Sequence, residues 1–116
     1  FGIHFNDDMI NAVKNNEYET GAFVIPKKHP IFKTSKKVYI KEISTLSLSS
    51  PAKPAFTSGK NVVMATAKVG KGTVFAVGDP WFYNEYVDGR KLPAQYENFK
   101  AATDLVNWLV QQVPGN

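Results

Sequence analysis

Short blocks of alternating apolar and polar residues run through most of the chain, and a helical spacing takes over at its end. Phe1-Gly2-Ile3-His4-Phe5 alternates as a short strand does. Asn6-Asp7-Asp8 offers capping side chains ahead of Met9, Ile10 and Val13, whose spacing predicts a short helix ending at Asn15-Asn16. Ala22 to Ile25 predicts a small strand that stops at Pro26, because proline has no N–H to give a ladder. His29-Pro30 holds its first residue extended. Val38, Ile40, Ile43, Leu46 and Leu48 fall at near-alternate positions with one phase change, which predicts two strands or one bulged strand.

Ser49 to Lys60, rich in proline and serine, is expected to be a long loop. Asn61 to Val69 predicts a strand, Gly70-Lys71-Gly72 a tight turn, and Thr73 to Val77 an antiparallel return strand buried on both faces. Gly78-Asp79-Pro80 ends that strand, and an aromatic, polar loop follows to Arg90. Phe99, Ala102, Leu105, Val106, Leu109 and Val113 recur at 3- and 4-residue spacings, which predicts an amphipathic helix with these residues on one face. Pro93 lies before that helix and Pro114-Gly115 ends it. The expected class is α/β or α+β: a mixed sheet with a hairpin over 61–78 and the C-terminal helix packed on it.

The 116 residues are 43% hydrophobic and 13% aromatic, too apolar for disorder and numerous enough to bury a core. A single domain over 1–116 is expected. The absence of cysteine excludes a disulfide framework, Cys-type zinc sites and thiol-nucleophile chemistry. No apolar run approaches the ~20 residues of a membrane span, so a soluble chain is expected. With Phe at position 1 and no signal pattern, the sequence reads as an excised piece of a longer protein.

The net charge of +4 is uneven. Residues 1–20 hold Asp7, Asp8, Glu17 and Glu19 against Lys14, whereas 21–60 hold Lys27, Lys28, Lys33, Lys36, Lys37, Lys41, Lys53 and Lys60 against Glu42. Such a stretch is either a polyanion footprint or a solvated surface whose lysines discourage edge aggregation. Arg90 is the single arginine, which disfavours bidentate phosphate or base recognition, so no nucleic-acid partner is expected.

The densest chemistry lies after the hairpin. Asp79, Trp81, Tyr83, Asn84, Glu85, Tyr86, Asp88 and Arg90 bring aromatics beside carboxylates, an amide and a guanidinium. Apolar rings with hydrogen-bonding neighbours suit a sugar, which offers C–H faces and a rim of hydroxyls. Asp79 with Glu85 or Asp88 is also the residue type of an acid/base pair. The competing reading is structural: aromatics anchoring a loop over the sheet end, with Asp79 accepting loop N–H groups. Asn98 shares a helical stripe with Ala102, Leu105 and Leu109, so it should point inward and find a hydrogen-bond partner. Asp79 and its loop are the expected partners, making Asn98 a staple. His4 and His29 show no metal spacing and are expected at surface or turn positions; no metal and no cofactor is expected.

Ala67-Lys68-Val69-Gly70-Lys71-Gly72-Thr73-Val74-Phe75-Ala76-Val77-Gly78-Asp79-Pro80-Trp81-Phe82-Tyr83-Asn84-Glu85-Tyr86, with Asn98 and Trp108-Leu109 beyond, resembles a known pattern. It is similar to the C-terminal module of certain bacterial unsaturated rhamnogalacturonyl hydrolases, glycoside hydrolases that act on pectin fragments. That module is itself similar to the class I glutamine amidotransferase-like, flavodoxin-type fold. The likeness covers residues 61–110 best, with His29-Pro30-Ile31-Phe32 and Val38-Tyr39-Ile40-Lys41-Glu42 as looser pieces. The resemblance implies a periplasmic or secreted, non-catalytic accessory module that docks on the parent's catalytic domain or binds acidic oligosaccharide. Glutaminase chemistry is ruled out, because it needs a cysteine nucleophile. Two alternatives stand beside this expectation: a hydrolase in its own right through Asp79 with Glu85 or Asp88, and a purely structural stabilising domain.

Overall fold

The centre of the sheet is strand β6, Asn61–Val69, and the computed structural model describes residues 1–10, 18–40, 43–78 and 95–113. β6 turns through Gly70, whose φ of +60° favours glycine, into β7, Gly72–Val77. The two pair antiparallel from Met64↔Val77 to Val69↔Gly72, so the expected hairpin forms. β7 is half-buried from Thr73 to Val77 rather than buried on both faces, since among the described residues its only ladder is with β6.

The other edge of β6 carries β5, Lys53–Ser58, in the stretch expected to be a loop. The correction has a physical reason. β5 is the outermost strand, where the N–H that Pro54 lacks has no ladder to complete, and register shifts on either side of Phe56 absorb the irregularity. Alongside β7, the same edge of β6 also receives β4, Leu46–Leu48, through Leu46↔Val62. β4 and β7 therefore meet end to end. Ser44 N–H donates to Gly78 C=O over 3.1 Å, and a Cβ on Gly78 would stand 2.1 Å from the Ser44 oxygen. Only glycine fits that junction. β1, Ile3–Phe5, pairs antiparallel outside β4.

A second, two-stranded sheet joins β2, Ala22–Val24, to β3, Lys37–Tyr39. The apolar run over 38–48 thus resolves into two strands that belong to different sheets. The short helix expected after Asp8 is not seen at its first residues. Ile10 forms an antiparallel bridge with Ile43, and the Asp8 carboxylate accepts from the Thr45 N–H and hydroxyl instead of capping a helix. Val13 and Asn15-Asn16 lie outside the described residues.

Helix α1, Asn98–Gln111, joins a core cluster that residues of both sheets share. Phe23, Ile25, Ile31, Phe32, Val38 and Ile40 meet Phe56, Val63 and Met64 under Ala101 and Leu105. Each fully buried large apolar side chain in this cluster contributes about 1.5–3 kcal/mol. The expected helix stripe is rotated. Phe99, Val106 and Val113 are 63%, 50% and 51% exposed, while Asn98, Ala101, Ala102, Asp104 and Leu105 face inward. Two polar residues set the rotation, because Asn98 hydrogen-bonds the Tyr39 backbone of β3 and Asp104 hydrogen-bonds the 34–35 loop. The protein is α+β, and among the described residues every strand pairing is antiparallel.

Candidate functional site

The start of α1 is tied to the outer edge of β3 by groups that imitate a ladder. Glu97 N–H donates to Lys37 C=O at 2.7 Å. Tyr39 N–H donates to Asn98 Oδ1 at 2.7 Å, and Asn98 Nδ2 donates back to Tyr39 C=O at 2.8 Å. The side-chain amide of Asn98 thus stands in for a peptide unit of a neighbouring strand, at 1% exposure. Tyr39 is the partner the structure describes for Asn98, and Asp79 lies outside the described residues.

Glu97 caps α1 through its backbone position but turns its carboxylate outward, accepting from Lys36 N–H at 2.8 Å and Lys100 Nζ at 3.2 Å. The Lys36 N–H, against the opposing effect of burial and with help from Lys100, holds its carboxyl below the usual glutamate range. Beside it, Lys37 pairs with Glu19, which pushes the ammonium up, and lies 5.3 Å from the Tyr96 ring centre. Burial foremost raises the Tyr96 phenol.

Nearly two turns along, Asp104 gathers the 34–35 loop. Its Oδ2 accepts from the Thr34 and Ser35 N–H groups at 3.1 Å each and from the Ser35 hydroxyl, and its Oδ1 accepts from Thr34 Oγ1 at 2.8 Å. Burial pushes its carboxyl up, but the hydroxyls and N–H groups outweigh burial and keep it below the usual aspartate range. Asp104 was missed by the sequence reading. The available signal was a lone acid on an apolar helix together with the Thr34-Ser35 hydroxyl pair.

His29, expected at a surface or turn, is a buried turn residue. Its Nδ1 accepts from the Ile31 and Phe32 N–H groups at 3.1 and 3.2 Å, and its Nε2 lies 2.7 Å from Ala55 C=O. That partner set fixes the Nε2–H tautomer and ties the 29–32 turn to β5. His4 is exposed on β1. Among the described residues, no group of three or more His, Cys, Asp or Glu side chains converges to hold a metal.

The far half of α1 differs. Between it and the sheet opens a cleft of about 420 Å³, lined by Ser50, Lys53, Thr66, Lys68, Thr73 and Trp108 among others. Register explains four of these. Lys53 and Lys68 are direct cross-strand partners of Thr66 and Thr73, and Thr66 and Lys68 are two apart on β6, so all four side chains leave one face. Lys68 Nζ donates to Thr73 Oγ1 at 2.8 Å and to Gln112 Oε1 at 3.1 Å. The lysine-rich stretch does not act as one patch here: Lys53 lines this cleft, while Lys33 lines another, of about 150 Å³, beside Asp104. Asp79, Trp81, Tyr83, Asn84, Glu85, Tyr86, Asp88 and Arg90 all lie outside the described residues. No helix among the described residues is long and apolar enough to cross a membrane. Comparison with protein-family models, with curated proteins and with solved structures gives no match.

Proposed function

We propose that this chain is a non-catalytic accessory module of a glycoside hydrolase acting on pectin fragments, one that binds acidic saccharide or docks on the catalytic domain. The sequence resemblance across residues 61–110 supports the class of parent. One structural observation supports the non-catalytic part: the side chains of His29, Glu97, Asn98 and Asp104 are each engaged by backbone groups. Asn98 holds both backbone groups of Tyr39, and Asp104 holds Thr34 and Ser35. Glu97 holds Lys36, and His29 holds Ile31, Phe32 and Ala55. Acid–base catalysis needs a group tuned toward neutrality and within reach of substrate. Asp104 and Glu97 are shifted the opposite way, toward permanent ionisation.

The test is turnover and binding by the same sample. Incubated with an unsaturated rhamnogalacturonan disaccharide, the chain should release no product. Rhamnogalacturonan oligosaccharides should nevertheless shift backbone amide resonances. Turnover that Asp79→Asn abolishes would replace this reading with the hydrolase alternative.

A further inference from the structure

The cleft beneath the second half of α1 combines features that point to one ligand chemistry. Its volume, about 420 Å³, falls in the range of small-molecule sites. Its cations have no carboxylate partner among the described residues. Lys37 and Lys100 pair with Glu19 and Glu97, but Lys53 and Lys68 have no ion pair among the described residues. In the sequence, neither 43–78 nor 105–116 contains an Asp or Glu. Lys68 is held in place rather than free: two of its three N–H donors reach Thr73 and Gln112, leaving one for a ligand. The α1 C-terminus sets about half a negative charge against an anion, less than the two full ammonium charges facing it. Ser50, Thr66 and Thr73 add hydroxyls, and half-buried Trp108 adds an apolar wall.

We propose that this cleft binds a carboxylate-bearing sugar ring, with Lys68 and Lys53 on the carboxylate, the hydroxyl side chains on the ring hydroxyls, and Trp108 against its C–H face. The inference deepens the accessory-module reading and rests on it for a saccharide ligand; the place and the charge preference come from the cleft. Recognition is electrostatic in part, so affinity falls as salt rises. Esterifying the carboxylate removes the charge and should weaken binding in the same sense.

The experiment is a resonance titration of the intact chain with galacturonic acid, galactose and acetate, following the Trp108 indole and the amides of 66–73. Galacturonic acid should shift them at millimolar concentrations, and both galactose and acetate should bind more weakly. Lys68→Gln and Lys53→Gln, both at exposed positions, should each weaken galacturonic acid about fivefold while leaving the spectrum elsewhere intact. Trp108→Leu, which keeps an apolar side chain against the core but removes the indole face, should weaken it while sparing acetate. Equal response to acetate and galacturonic acid would mean an adventitious ion only and overturn the proposal. So would silence at these residues while rhamnogalacturonan oligosaccharides shift others, which would leave the accessory-module reading standing.

Discussion

The two halves of α1 use polar residues in opposite ways. In the first half, Glu97, Asn98 and Asp104 reach backbone groups of residues 34–39 and hold the helix to the small sheet. In the second, Trp108 and Gln112 look across to Lys53, Thr66, Lys68 and Thr73, where ammonium and hydroxyl groups line open volume. A polar side chain buried against backbone must be satisfied by protein, and its loss is felt as stability. A polar side chain lining a cleft can be satisfied by water or by a ligand, and its loss is felt as affinity. The contrast separates scaffold from site on one continuous helix.

Asn98→Ala attacks the scaffold half hardest. It removes the two hydrogen bonds that the buried Tyr39 N–H and C=O make with the amide, so urea unfolding should show a loss of about 2–4 kcal/mol. Asp104→Asn comes next. It keeps the shape but removes the charge that strengthens four hydrogen bonds, for a loss of about 1.5–3 kcal/mol at neutral pH.

Acid should reveal the same charge. Asp104 and Glu97 have folded pKa values below their unfolded ones, so their contribution is complete above about pH 4.5 and is lost as pH falls through the folded values. Asp104→Asn should therefore flatten the acid side of the stability profile. At the cleft, Lys68→Gln should leave the unfolding midpoint in place. Within the scaffold half, the smallest effect belongs to Lys37→Gln, which removes an exposed ion pair with Glu19; thermal unfolding should barely move.

The sequence made some of this legible and hid the rest for identifiable reasons. The β6–β7 hairpin could be read because strict alternation and a Gly-Lys-Gly turn are local signals. β5 was hidden because Pro54 reads as a breaker unless the strand is known to be outermost. The helix itself was plain, but its rotation was not. The apolar spacing favoured Phe99 and Val106, whereas bonds from Asn98 to Tyr39 and from Asp104 to Thr34, 59 and 70 residues apart, turn the helix the other way. The inward stripe of Asn98 could be inferred; Tyr39 as its partner could not. The cleft needed Lys53 set beside Thr66 and both brought under Trp108, which only the antiparallel register and the helix position supply.

One paired measurement tests the division directly: unfolding free energy and galacturonic acid affinity, determined together for Asp104→Asn and Lys68→Gln. The account expects Asp104→Asn to lose stability with affinity unchanged, and Lys68→Gln to lose affinity with stability unchanged. If affinity instead follows stability in both variants, or Lys68→Gln binds as the parent does, the separation of scaffold from site along α1 is wrong.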